Sequence, residues 1–122
     1  MAFVGIECLN VAQFLGGQIS STYTLESAQR AAISRAYFAA YGHAFHYEVD
    51  GGRFNPSNKA EDHPGLRVHF AKIRKEQKIA SELEDLRFLR NQCDYHKNFV
   101  GILAQSTKEA LKMAAHVINY LK

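Results

Sequence analysis

The chain has 122 residues, 47% of them apolar, 22% charged and 11% aromatic, close to the globular average. These values exclude wholesale disorder and low-complexity scaffolds, and they fit one domain over residues 1–122 with a single core. Fifteen Lys and Arg against twelve Asp and Glu give a formal charge of +3, which permits an anionic partner such as nucleic acid without demanding one.

Both prolines, Pro56 and Pro64, fall in one central stretch with Gly51, Gly52 and Gly65 around them, while alanine and leucine dominate on either side. Strong helix formers flanking one breaker-rich segment predict an all-helical chain. The first helix is short, about Ile6 to Phe14, and closes at Gly16-Gly17. The second is the longest, about Leu25 to Val49, with Thr24 as N-cap and Glu26 in the first turn. Its Ala28, Ala32, Ala36 and Ala40 recur at every fourth position and form a narrow face that lets another helix approach closely. Tyr37, Phe38, Tyr41, Phe45 and Tyr47 make its second half aromatic, and Gly51-Gly52 ends it.

A loop from Gly51 to Asp62 follows, of a length that usually marks a functional or disordered segment. Asp62 is expected to cap a third helix, with Pro64 in its first turn, running to about Lys75. The fourth, about Gln77 to His96, places Ile79, Leu83, Leu86 and Cys93 on one stripe. The fifth, about Ser106 to Lys122, buries Ala110, Leu111, Ala114, Val117, Ile118 and Leu121, with Ser106 or Thr107 and Glu109 as its start signal. The fold expected is an all-α, up-down antiparallel bundle of about five helices.

Many chemistries are missing from the sequence. There is no nucleophile elbow, phosphate-binding loop, dinucleotide fingerprint or Cys-x-x-Cys. Cys8 and Cys93 are too few for a disulfide framework or a four-thiolate zinc site, so free thiols in a reducing cytoplasm are expected. No apolar run approaches the roughly 18 residues of a membrane span. Met1–Gly17 makes a poor signal peptide, because no basic residue leads it and Glu7 interrupts it. Asp50-Gly51-Gly52-Arg53 reads as a turn. His43 and His46 have the spacing of a ligand pair, but they lie among aromatics and no third ligand is evident, so packing is the expectation and no metal is assigned. His69 and His116 read as helix-face residues. His63 opens a helix beside the long loop, a position where an anion can sit.

The end of the fourth helix is chemically dense. Residues 86–97 hold Arg87, Arg90, Asn91, Asp94, Tyr95, His96 and Lys97. On a straight helix, six residues turn through about 600° and rise about 9 Å, so Arg90 and His96 do not share a face. A distortion at the helix end, long side chains or a second copy of the helix would be needed to join them. The plain alternative is an Arg90–Asp94 pair at i, i+4 and a cationic His96 near the helix C-terminus.

The run Arg90-Asn91-Gln92-Cys93-Asp94-Tyr95-His96 resembles the Arg-x(4–6)-His motif of the HEPN superfamily, which commonly carries a polar residue directly after the arginine. The segment Ala32-Ile33-Ser34-Arg35-Ala36-Tyr37-Phe38-Ala39-Ala40-Tyr41 is similar to the "SRAYYA" helix of small prokaryotic members, and the order of the segments matches. The resemblance spans about Leu25 to Leu121 and implies a four-helix core that dimerises so that two motifs face one cleft. It implies a metal-independent endoribonuclease without a cofactor, which acts on RNA and not DNA because the attacking group is the ribose 2′-hydroxyl. His96 would be the general acid or base, since histidine titrates near pH 6.5. Arg90 would bind the scissile phosphate and stabilise its developing charge, and Asn91 would orient either partner. Arg87, Lys97, Tyr95 and His63 would contact RNA. The products would carry a 2′,3′-cyclic phosphate and a 5′-hydroxyl.

Some members of this superfamily are toxins with a tyrosine two residues after the histidine, modified by a partner nucleotidyltransferase. Asn98 stands at that position here, and Tyr95 precedes the histidine instead, so the modification switch is doubtful while such a partner remains compatible. Other members have lost activity. The alternative expectation is therefore a non-catalytic nucleotide- or partner-binding subunit working with a nucleotidyltransferase.

Overall fold

The computed structural model describes residues 3–122, which form an all-α bundle. Its helices are α1 (Gly5–Leu15), α2 (Leu25–Asp50), α3 (Asp62–Ala71), α4 (Gln77–Tyr95) and α5 (Leu103–Tyr120), with a short 3-10 turn at Arg74–Glu76. Among the described residues, no helix is long and apolar enough to cross a membrane.

α2 is the axis of the fold. Ala28, Ala32, Ala36 and Ala40, with Ala39 and Ala44, are buried against α1, α4 and α5, as the repeat of small residues leads one to expect. Thr24 caps the helix by accepting the amide of Ser27 at 3.2 Å. End-to-end contacts fix the directions. Gly5 of α1 abuts His43, while Gly16 abuts Ala32, so α1 runs against α2. The C-terminal end of α4 meets Arg30 and Ser34 near the start of α2. His43 Nε2 meets the carbonyl of Leu121 just past α5, 2.5 Å away, while Thr107 near the start of α5 lies beside Gly16. The helices α1, α2, α4 and α5 therefore alternate in direction, as in an up-down bundle.

α3 is an excursion from that pattern. It runs parallel to α2, with His63 beside Tyr37 at its start and His69 beside Glu48 at its end. The long loop has to return the chain almost the length of α2's second half to allow this. Gly52 begins the return at φ +73°, a backbone that favours glycine. Glu48 anchors it: this fully buried carboxylate bonds Arg53 at 2.7 Å and His69 at 3.3 Å, and its carbonyl accepts the amides of Arg53 and Phe54. Burying a carboxylate without such partners would cost several kcal/mol.

Several boundaries differ from the sequence expectation. Asp62 is the first residue of α3 and does not cap it. Its carboxylate instead accepts the Ser57 amide at 2.9 Å, the Ser57 hydroxyl at 2.7 Å and the Asn58 amide at 2.9 Å, closing the loop onto the helix. These bonds hold its carboxyl below the usual carboxylate range. α3 stops at Ala71, short of Lys75, and the chain tightens into the 3-10 turn before α4. α5 begins at Leu103, because Ser106 and Thr107 are already inside it: the Thr107 hydroxyl bonds back to the carbonyl of Leu103 at 2.8 Å. His96 follows α4 as an extended cap residue instead of ending it. The expected stripe of Ile79, Leu83, Leu86 and Cys93 is buried.

The closed alanine face yields a stability test. Ala36 has no accessible surface, so Ala36→Leu should overpack the junction and cost about 1–3 kcal/mol in urea unfolding. An unchanged midpoint would mean that the face is open.

Candidate active site

Three tethers fix the turn that carries the candidate residues. The first is Arg30 on α2, whose guanidinium bonds the carbonyls of Cys93 at 3.2 Å, His96 at 2.8 Å and Lys97 at 3.0 Å, and lies 3.4 Å from that of Gln92. The Cys93 carbonyl is among those that a helix end leaves without an intrahelical partner, and a cation there also favours the helix dipole. The second is the Ser34 hydroxyl, which donates to Asp94 at 3.1 Å. The third is the buried Gln92 side chain, which accepts the amide of Val100 at 3.0 Å. The backbone from Gln92 to Val100 is thus pinned from inside, while residues 94–98 are exposed.

Arg90 sits in an aromatic and polar clamp. Its guanidinium carbon is 5.0 Å from the Phe38 ring centre and 5.2 Å from that of Tyr95. It donates to Asn91 Oδ1 at 3.2 Å and to Tyr95 Oη at 3.3 Å. Its Nε lies 2.9 Å from Asp94 Oδ2 but is buried without a hydrogen-bond partner, so the pair is Coulombic more than directional. The structure thus brings Arg90, Asn91 and Tyr95 together. His96 and Lys97 are exposed, and neither side chain has a hydrogen-bonded or ionic partner among the described residues. The polar partners of Arg90 are Asn91, Tyr95 and Asp94, and no hydrogen bond or ion pair joins it to His96 among the described residues.

The remaining candidates fall elsewhere. His63 Nδ1 lies 2.5 Å from Tyr37 Oη, and the His63 ring stacks on Tyr41 with centres 4.0 Å apart. Burial, then the charges of Arg87, Arg90 and Arg67, push the His63 imidazole below its ordinary value. Burial likewise raises Tyr37, against the pull of the same three arginines, and pushes Tyr41 up to about 12. Arg87 is half-buried on the same side and has no carboxylate partner among the described residues. The candidates therefore form two groups, one at the end of α4 and one between α2, α3 and α4, with Arg90 between them.

The other histidines serve packing. His43 bonds the carbonyl of Leu121, and His46 packs on Phe3 and Phe45. His69 pairs with Glu48, and His116 pairs with Glu82 at 2.5 Å. Among the described residues, no three His, Cys, Asp or Glu side chains converge as metal ligands. Cys93 is buried with its thiol pushed up to about 11, which makes it a packing residue and not a nucleophile.

Sequence reasoning missed Arg30, Phe38 and Arg67. Arg67 carried a signal, since it lies one helical turn after His63. Arg30 showed only its i, i+4 pairing with Glu26, 3.2 Å away, and nothing pointed to the carbonyls more than sixty residues on that it gathers. Compared with known proteins, the chain matches no family model, no curated protein and no solved structure.

Two outcomes follow from this geometry. Arg30→Met should cost about 1–3 kcal/mol of stability, because it strands several carbonyls at once, and hydrogen exchange should show fraying confined to residues 92–100. His63 should titrate below the ordinary histidine range in NMR. The unfolded chain then binds that proton more readily. The stability contributed by this group is complete above about pH 6.5 and is lost as the pH falls through 6.5 toward the folded-state value.

Proposed function

We propose that this chain is a metal-independent endoribonuclease of the HEPN type, acting as a cytoplasmic homodimer and a component of a toxin–antitoxin pair. The observation that carries the reading is the end of α4: an exposed, unpartnered imidazole on a backbone pinned by Arg30, six residues beyond a guanidinium clamped between Phe38 and Tyr95. A free imidazole can move a proton, and a fixed guanidinium stabilises charge on phosphate without reorganising.

Six residues of helix do not put Arg90 and His96 on one face, so the chemistry draws on two copies. Phe88 and Tyr95, seven residues apart on the outer side of α4, are 65% and 69% exposed, with Asn91 between them. An apolar strip of this kind at the motif suits a second copy of the same helix about a two-fold axis. In the resulting cleft one His96 takes the proton of a ribose 2′-hydroxyl. The 2′-oxygen then attacks phosphorus, the bond to the 5′-oxygen breaks, and the other imidazole, protonated, delivers a proton to that leaving oxygen. Arg90 neutralises the phosphorane, and Asn91, Tyr95 and Lys97 line the RNA path with Arg87 and His63 behind them.

One observation favours the second reading, a non-catalytic nucleotide- or partner-binding subunit working with a nucleotidyltransferase. Arg90 is already engaged by Asp94, Asn91 and Tyr95, and a substrate phosphate has to compete with that carboxylate.

Variants separate the two. For the nuclease, His96→Ala and Arg90→Ala should each lower cleavage of single-stranded RNA by about 10²-fold or more, and Asn91→Ala by less. His96→Ala should retain RNA affinity and all three should keep the helical circular dichroism spectrum. Light scattering should give twice the 13.8 kDa chain mass. A wild type that binds nucleotide but cleaves nothing would establish the binding subunit.

A further inference from the structure

Seven side chains from three helices converge beside the α4 motif. α2 supplies Tyr37, Phe38 and Tyr41, α3 supplies His63 and, one turn on, Arg67, which reaches α4 at Glu84, and α4 supplies Arg90 and Arg87, the charges of all three arginines acting on Tyr37 and His63. The carboxylates nearby do not balance the arginines. The Asp62 carboxylate is occupied by bonds from Ser57 and Asn58. Asp94 is shared between Arg90 and Ser34. Glu84 meets the Nε of Arg67 at 2.9 Å from an exposed position. Arg87 has no acidic partner among the described residues, and Nη1 of Arg67 is buried without any hydrogen-bond acceptor.

A half-buried set of guanidinium groups with an orphaned donor is costly unless an anion completes it. We propose that Arg67 and Arg87, with the Tyr37–His63 couple, form a binding site for a phosphate group, separate from the Arg90–His96 cleavage chemistry. The orphaned Nη1 of Arg67 and the free fork of Arg87 supply the charge-assisted bonds. The stacked rings of His63 and Tyr41 offer an aromatic surface beside the phosphate, suited to a base or ribose. The source is either the backbone of a bound RNA, a neighbouring phosphate to the one at Arg90, or the phosphate of a free nucleotide. The site does not depend on cleavage by His96.

His63 is the reporter. Burial and the charges of Arg87, Arg90 and Arg67 hold its imidazole down, and Asp62 alone opposes them. An anion bound among those arginines must raise it. The measurement is an NMR pH titration of the histidine ring resonances, with His63 assigned through His63→Gln, at rising inorganic phosphate and constant ionic strength set with sodium chloride. The His63 midpoint should rise by about half a pH unit or more and saturate. It should rise in the absence of phosphate in Arg87→Gln, and there lose its response to phosphate. His96→Ala should respond as wild type does, which keeps the site distinct from the nuclease reading. Uridine 3′-monophosphate and a 2′-O-methyl tetrauridylate, which resists cleavage, identify the source: tighter saturation by the tetranucleotide assigns RNA backbone, and equal saturation assigns free nucleotide. A His63 midpoint indifferent to phosphate, or a response unchanged in a folded Arg87→Gln protein, would overturn the proposal. Arg87 is chosen because it lacks an ion-pair partner to lose, so the variant should fold.

Discussion

The architecture depends on one side of α2 carrying almost no side-chain bulk. With Ala28, Ala32, Ala36 and Ala40 stacked a turn apart, three helices can close on a single backbone. That closeness is what allows a side chain as local as Arg30 to reach past its own helix and gather the carbonyls at the end of α4. A bulkier face would push α4 away, and the guanidinium would lose its acceptors. The position of His96 is thus a consequence of alanines about sixty residues earlier in the chain, transmitted through one half-buried cation.

The second half of α2 uses bulk instead. Tyr37 reaches His63, Tyr41 stacks on the same ring, Phe38 lies under Arg90, and Glu48 holds the returning loop through Arg53 and His69. These contacts turn α3 parallel to α2 and set its arginine beside those of α4. The same helix therefore organises both charged regions, one by approaching closely and the other by filling space. The result is a basic surface that contains exposed imidazole at one end and a shielded imidazole in the middle, two environments that assign opposite roles to residues of one type.

The helices themselves were legible in the sequence because periodicity and breakers are local signals. The stripe of Ile79, Leu83, Leu86 and Cys93 and the Thr24 cap follow directly from spacing and residue type. Boundaries were less legible where a side chain had two uses. Asp62 has the chemistry of a cap but is spent on Ser57 and Asn58, and Thr107 bonds backwards within α5 instead of starting it. At the site, Arg90, Asn91 and Tyr95 could be grouped from the motif alone. The distant partners of Arg30, Ser34 and Arg67 could not, because tertiary contacts to carbonyls and to distant carboxylates leave no periodic trace.

The most direct test of the nuclease account is the chemistry of the RNA ends. Purified protein incubated with single-stranded RNA in EDTA should release fragments bearing 2′,3′-cyclic phosphate and 5′-hydroxyl groups, as attack by the adjacent 2′-oxygen requires. Fragments with 3′-hydroxyl and 5′-phosphate ends, or cleavage that appears only when magnesium is restored, would contradict it.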